Sequence, residues 1–110
     1  MQAGQVHTPT GFGPDVFYVS GRDAALEDRD VLYGGPDGML VCDPSIEPRA
    51  GHLVLCEGPG TRRAMCSYAG LIGDVAVYVP CNDELPMRTS LTAKVLGVVV
   101  EIRLRMTDRC

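Results

Sequence analysis

Five cysteines and two histidines are the side chains of this 110-residue chain that could bind a metal ion or form disulfides. They stand at Cys42, Cys56, Cys66, Cys81, Cys110, His7 and His52. No two cysteines have the C-x-x-C spacing of structural zinc sites, so we expect no metal and no cofactor. The first four cysteines fall in or beside apolar runs, which predicts buried free thiols that pack as small hydrophobic groups. An odd number of cysteines also fits a reducing cytoplasm.

Asp23 is a second candidate for chemistry, because it stands in a turn directly after an apolar strand. Residues 15–21 (DVFYVSG) predict a strand that runs into a glycine, and the turn continues as Arg22-Asp23-Ala24. This arrangement resembles the self-cleaving peptidases of the LexA, UmuD and phage-repressor family, in which a Gly-x-Ser-Met turn carries the nucleophilic serine. Asp23 stands at the serine position and Ala24 at the methionine position. An aspartate cannot replace a serine hydroxyl as the acyl-forming nucleophile.

Four further segments carry the same resemblance in their order and spacing. They are residues 36–43 (PDGMLVCD), 47–55 (EPRAGHLVL), 77–82 (VYVPCN) and 95–103 (VLGVVVEIR). His52 stands where the family usually has an aspartate. The resemblance covers roughly residues 14–105 and implies a small, strongly bent β domain of the LexA C-terminal type.

The family's catalytic lysine lies about fifteen residues before the asparagine that matches Asn82, which places it at Ser67. A Ser–Lys dyad needs a buried lysine whose neutral amine accepts the hydroxyl proton. Ser67 has no amine to accept that proton. If the alignment were shifted by four residues, Arg63 would take the lysine position, and arginine stays protonated. The only lysine, Lys94, matches no catalytic position.

The resemblance therefore implies a pseudo-peptidase whose vestigial dyad positions are Asp23 and Ser67. We expect these two side chains to face each other across one cleft, within hydrogen-bond reach (about 3 Å) or linked by one water. An active autopeptidase is the alternative, with Asp23 as acid or base and Ser67 as nucleophile. An aspartate beside a serine lacks the positioned base and oxyanion partner that this chemistry requires.

The hydrophobic pattern predicts an all-β fold with at most one short helical turn, over residues 24–28. The predicted strands are residues 15–20, 39–43, 52–57, 62–68, 74–80 and 93–105. Glycine- and proline-rich turns separate them, and Gly58-Pro59-Gly60 is the best hairpin candidate. In the last strand, alternation predicts that Val100 and Ile102 share one face.

Composition excludes several function classes. Hydrophobic residues make up 45% of the chain, which is too many for simple disorder, and no run of about 18 apolar residues could span a bilayer. The net charge is −4 and the basic residues are scattered, so direct nucleic-acid binding by this segment is not expected. We expect a cytoplasmic protein that does not bind membranes.

The chain is long enough for one compact core. We predict an extended N-terminal arm over residues 1–13 and one β domain over residues 14–110. Residues 27–38 are about six residues longer than the family's connection and could cover the former cleft or bind a partner. Ala3-Gly4 matches the family's cleavage dipeptide, but it lies closer to Asp23 than is usual.

The resemblance implies a homodimer in which the strand over residues 93–105 takes part. It further implies a regulatory domain that mediates protein–protein contacts in transcriptional regulation or the DNA-damage (SOS) response. Such a domain would act alone or be covalently linked to a helix-turn-helix domain. The alternative in the same class is a UmuD-like accessory subunit of a translesion polymerase.

Overall fold

Seven strands form a single sheet in the computed structural model, which describes residues 15–58, 60 and 62–104. In chain order they are β1 Phe17–Ser20, β2 Met39–Asp43, β3 Leu53–Glu57, β4 Arg63–Ile72, β5 Val75–Pro80, β6 Arg88–Thr89 and β7 Lys94–Arg103. They lie in the order β1-β2-β7-β3-β4-β5-β6, and each neighbouring pair is antiparallel. The predicted all-β fold is confirmed.

Several predictions lie outside the described residues. They concern the arm over residues 1–13, the Ala3-Gly4 dipeptide, His7 and Cys110. The division into an arm and a domain over residues 14–110 therefore stays a prediction.

Two single 3-10 turns, Arg22–Ala24 and Val31–Tyr33, are the helical elements of the described part of the chain. The predicted helical turn over residues 24–28 is wrong in its placement. Ala25 ends the first turn because it adopts a left-handed conformation, with φ of 66°. No helix within the described ranges is long and apolar enough to cross a membrane.

All six predicted strands are present, and β2 has its predicted bounds. β4 continues to Ile72, beyond the predicted end at residue 68, because the chain passes Gly70 with a positive φ of 107° and a shift in register. Such a bulge lets a strand continue through a glycine that looks like a turn. β6 was not predicted, since two residues are too few to show a period.

The predicted hairpin between β3 and β4 is confirmed. The Gly58 N–H donates to the Arg62 carbonyl at 2.8 Å, and Glu57 pairs with Arg63 at the start of the ladder. Gly58 adopts a positive φ of 107°, which a residue with a side chain would reach only with strain.

The core consists of two clusters. The first core cluster contains Val54, Cys56, Ala64, Cys66, Ala76, Tyr78, Ala93 and Val98. The second core cluster contains Val19, Ala24, Leu26, Leu40, Cys42, Leu55 and Met65. Consecutive residues of β3 and β4 alternate between the clusters, because successive side chains of a strand point to opposite faces. Both faces of the middle of the sheet are therefore buried.

β7 is the strand that joins the two parts of the sheet. Residues 98–103 pair with β2 and residues 94–98 pair with β3, so each neighbour covers about half of the strand. The register shifts once against each neighbour, which interrupts the period of two. Val100 consequently packs against the first core cluster and Ile102 against the second, and the prediction that they share a face is wrong.

Gly21 lies where the chain leaving β1 meets the loop before β2. Its N–H donates to the Gly38 carbonyl at 2.8 Å, and its carbonyl accepts from the Leu26 N–H at 2.9 Å. Its φ of −57° is available to any residue. A Cβ at this position, however, would overlap the Gly35 carbonyl oxygen. Glycine is therefore required here by space.

We predict that Gly21→Ala destabilises the domain by about 3 kcal/mol, because the backbone of residues 35 and 36 must move to admit the methyl group. Gly73→Ala is the matched control: Gly73 has a positive φ of 64° but no atom within 4 Å of its Cβ position. That change should cost only about 1 kcal/mol of conformational strain. Urea unfolding would measure both, and a cost for Gly21→Ala no larger than that for Gly73→Ala would contradict the packing argument.

Candidate functional site

Asp23 lies on the first 3-10 turn, two residues after the glycine that follows β1. Its backbone N–H donates to the Ser20 hydroxyl at 3.1 Å, which fixes the turn. Its side chain is exposed and makes none of the hydrogen bonds or ion pairs found among the described residues. Among the described residues, the Ser20 hydroxyl is therefore the group that orients Asp23, through the backbone N–H.

Ser67 lies in the middle of β4, paired with Leu53 on β3 and Val79 on β5, and is half-buried. The β3–β4 ladder has no bulge here, so Ser67 projects from the same face of β4 as Met65. Ala24 packs into the cluster that contains Met65, and the first 3-10 turn contacts β4. The turn that carries Asp23 thus lies on the side of the sheet from which Ser67 projects.

No direct hydrogen bond joins Asp23 and Ser67 in the part of the chain that the structure describes, and the predicted alternative of a link through one water stays a prediction. The reason lies in how the turn packs. Ala24, which is 1% exposed, is the residue that faces the second core cluster, and this turns Asp23 towards solvent. The assignment of Asp23 and Ser67 as vestigial dyad positions remains a prediction.

Two adjoining clefts form a groove along residues 22–29. One has a volume of about 290 Å³ and is lined by Arg22, Ala25, Leu26, Glu27, Arg62, Asn82 and Leu85. The other has a volume of about 410 Å³ and is lined by Arg22, Leu26, Glu27, Asp28, Arg29 and Pro36. We call their union the 22–29 groove. Neither Asp23 nor Ser67 lines it.

The side chains of the 22–29 groove are suited to binding rather than to nucleophilic catalysis. They supply guanidinium, carboxylate, amide and apolar groups, with no hydroxyl, thiol or amine among the lining residues. Lys94 lines a different cleft beside Ser90 and Leu91, where its Nζ lies 4.0 Å from Glu57. Residues of the 27–38 segment form one wall of the groove, while Val31 and Leu32 are exposed.

Asn82 joins the two walls of the groove, a role that the sequence motif did not reveal. The side chain is buried, and its amide nitrogen donates to the Ala25 carbonyl at 2.8 Å. Its amide oxygen accepts from the Glu84 N–H at 3.0 Å and from the Arg29 guanidinium at 3.1 Å. One of these three hydrogen bonds lies within the turn after β5, and the other two join that turn to residues 25 and 29.

Arg29 adds charge to this connection. Its guanidinium lies 3.0 Å from Glu84, 3.6 Å from Glu27 and 3.9 Å from Asp83. The hydrogen bond from Arg29 lowers the pKa of the Glu84 carboxyl. From the sequence, the charged residues 27–30 are predicted to be solvated. The partner of Arg29, Asn82, is 53 positions away, and a local pattern cannot reveal it.

Ala25 is the one non-glycine residue with a positive φ among those described. A left-handed alanine costs about 1 kcal/mol or more, so the surrounding contacts must hold it. The Asn82 bond to the Ala25 carbonyl and the bond from Leu26 to Gly21 supply that restraint. The strained residue lies at the floor of the groove, two positions after Asp23.

The described cysteines are all free, as the sequence predicts. Cys42, Cys56 and Cys66 are buried and Cys81 is half-buried. Burial raises the pKa of Cys42 and that of Cys81 to about 12, so both remain protonated at neutral pH. Tyr33 faces Cys81, which raises the pKa of the tyrosine hydroxyl.

In comparison with known proteins, this chain is similar to part of a phage repressor. It is 34% identical over 73 residues to "Repressor protein C2" of Salmonella phage P22. The similarity covers 63% of this chain and 33% of the repressor, so the match spans only about a third of that protein. No family model matches the chain.

We predict that Asn82→Ala lowers the free energy of unfolding by about 3 kcal/mol, because it leaves the Ala25 carbonyl and the Glu84 N–H without their partner. Asp83→Ala is the matched control in the same turn, since the Asp83 side chain is 89% exposed. Its unfolding midpoint should stay close to that of the unmodified chain. Equal midpoints for the two variants in chemical denaturation would show that Asn82 does not join the groove walls.

Proposed function

We propose that this chain is a regulatory domain of the phage-repressor type that no longer cleaves itself and acts through protein–protein contacts. The observation that carries the proposal is the similarity to a phage repressor. It is joined by the sequence resemblance, which assigns Asp23 to the family's serine position and Ser67 to its lysine position. We propose a cytoplasmic role in transcriptional regulation or the DNA-damage response. Its partners would be a second copy and a regulatory protein.

The chemistry around Asp23 supports the loss of catalysis. The Asp23 carboxylate is exposed and bonds to no side chain among the described residues, so none of them assists it in activating a nucleophile. The 22–29 groove is lined by Arg22 and Arg62, whose guanidinium groups are hydrogen-bond donors without an acceptor atom. The groove offers charged, amide and apolar groups for binding, and none of its lining residues supplies the hydroxyl, thiol or amine that acyl transfer needs.

The first test is resistance to self-cleavage. Alkaline incubation drives autocleavage in a Ser–Lys peptidase by deprotonating the lysine, and we expect this chain to stay intact under the same conditions. Intact mass spectrometry over a time course would measure the outcome. A discrete fragment that disappears in Asp23→Ala or Ser67→Ala would establish the alternative, an autopeptidase with non-standard residues.

The buried thiols limit the pH of this experiment. The folded pKa of Cys42 is raised from 9.0 to about 12, so its contribution to stability is complete below about pH 9 and is lost as the pH rises towards 12. Incubation should therefore stay near pH 9, and circular dichroism should confirm that the chain remains folded. A fragment that forms only when this signal is lost reports unfolding rather than catalysis.

The free edge of β7 supports the proposed homodimer. β7 as a whole is not an edge strand, because it lies between β2 and β3 in the sheet. Residues 99–103, however, pair only with β2, and no described strand pairs with their other edge. Unpaired backbone groups on a partly apolar strand favour pairing with a second chain.

The charges on this edge suggest a register for the pairing. Glu101 and Arg103 form an ion pair at 3.1 Å, and both side chains are half-buried. In an antiparallel pair of copies centred on Ile102, Glu101 would lie opposite Arg103 of the partner subunit, and the reciprocal pair would form as well. A symmetric dimer would thus contain two cross-strand pairs of opposite charge.

We predict that Glu101→Arg and Arg103→Glu each weaken the dimer by at least about tenfold, because each places like charges opposite one another. The double variant Glu101→Arg/Arg103→Glu restores both the internal pair and the cross-strand pairs, so it should dimerise like the unmodified chain. Sedimentation equilibrium would measure the masses. A monomeric unmodified chain at tens of micromolar, or single variants that dimerise normally, would contradict this register.

DNA contacts are proposed to lie elsewhere in a longer protein. The net charge of −4 opposes phosphate binding by this segment. Because the match to the phage repressor spans a third of that protein, we propose that this chain works beside a helix-turn-helix domain, covalently linked or on a partner.

A further inference from the structure

The second 3-10 turn presents two adjacent apolar side chains to solvent. Val31 is 71% exposed and Leu32 is 86% exposed, whereas Tyr33 of the same turn packs against the second core cluster. A single exposed apolar side chain is ordinary, but exposed apolar side chains that adjoin one another are typical of interaction surfaces. The turn is therefore a candidate for contact with another molecule.

The backbone of this turn is held in place within one chain. The carbonyl of the buried Asp30 accepts from the Tyr33 N–H at 3.0 Å and from the Gly35 N–H at 3.1 Å. These hydrogen bonds fix the turn without any contribution from the side chains of Val31 and Leu32. The fold of a single chain therefore does not explain why these two exposed side chains are apolar.

The turn lies against the end of β7. Gly34 closes the turn by donating its N–H to the Val31 carbonyl at 3.2 Å. A Cβ at Gly34 would lie 3.2 Å from Cγ2 of Ile102 and 3.3 Å from Cδ2 of Leu104. Leu104 is itself 64% exposed, and Ile102 packs against the second core cluster. Val31, Leu32 and Leu104 thus form one apolar surface on that face of the sheet, which we call the 31–104 patch.

The 31–104 patch adjoins the half of β7 whose other edge is unpaired. No described strand pairs with that edge over residues 99–103. An edge of five residues is only about 17 Å long, whereas a stable interface buries about 800 Å² on each partner. Pairing of two such edges therefore needs additional contact area, and the 31–104 patch is the exposed apolar surface beside it.

We propose that the 31–104 patch is buried against a second copy of this chain, so that the second 3-10 turn forms part of the dimer interface. This inference rests on the proposed homodimer. The partner is a second copy because Glu101 and Arg103 make the neighbouring edge complementary to itself. A two-fold axis through Ile102, perpendicular to the sheet, joins the two edges antiparallel. It keeps the patches of both copies on the same face of the continuous sheet.

Leu32→Ser in the full chain tests the patch. We expect the dissociation constant of the dimer to rise at least about tenfold, because each dimer loses the apolar burial of this side chain twice. Leu91→Ser is the matched control, since Leu91 is 77% exposed and lies beside Lys94, at the other end of β7. Its dissociation constant should be unchanged. Sedimentation equilibrium measures both, and urea unfolding should give similar midpoints because both positions are exposed.

The outcomes separate this inference from the proposed homodimer. A Leu32→Ser variant that dimerises like the unmodified chain would overturn the inference and leave the homodimer standing. Equal weakening by Leu91→Ser would also overturn it, because the effect would then not belong to the patch. If the unmodified chain is monomeric at tens of micromolar, the homodimer and the inference are both wrong.

Thiol labelling measures the burial of the turn directly. Val31→Cys, in a chain that also carries Cys110→Ser, should react with iodoacetamide several-fold more slowly well above the dissociation constant of the dimer than well below it. Leu91→Cys should react at the same rate at both concentrations. The described native cysteines are buried or half-buried, and peptide mapping distinguishes them from the introduced thiol. Equal rates for Val31→Cys at both concentrations would contradict the proposal.

Discussion

The hydrogen bond from the Asn82 amide to the Ala25 carbonyl is the contact on which the groove depends. It joins two segments 57 positions apart, and it holds Ala25 in a left-handed conformation that alanine reaches only with strain. Without it, the segment after β1 would be tied to the sheet mainly by Ala24 and Leu26 in the second core cluster. The oxygen of the same amide accepts hydrogen bonds from the Arg29 guanidinium and from the Glu84 N–H. One buried side chain therefore bonds to both backbone and charged groups.

The same contact separates the groove from the core beneath it. Ala25 and Leu85 pack against the first core cluster and also line the groove, so the turn after β5 is shared by both. Burial keeps Cys42 and Cys81 protonated at neutral pH, because it raises the pKa of each thiol to about 12.

The strands could be predicted from the sequence because each is an apolar run bounded by turn residues, and both ends of β2 were predicted correctly. The hydrophobic pattern gave wrong predictions where the backbone geometry depends on a neighbouring strand. Gly70 looks like a turn until its bulge against Val77 is known, and Val100 changes face because of a bulge against β2. At the site, the turn after β1 was predictable, but the Asn82 and Arg29 contacts were not, since their partners lie over fifty positions away.

The groups that hold the candidate site together are independent of the residue at position 23. Gly21 is needed because the neighbouring backbone occupies the space of a Cβ, Ala24 fills the core, and Asn82 holds the Ala25 carbonyl. The Asp23 side chain points into solvent and takes part in none of these contacts. Substitution of an exposed side chain that makes no such contacts usually changes the free energy of unfolding very little. The fold and the 22–29 groove therefore do not depend on which residue stands at position 23.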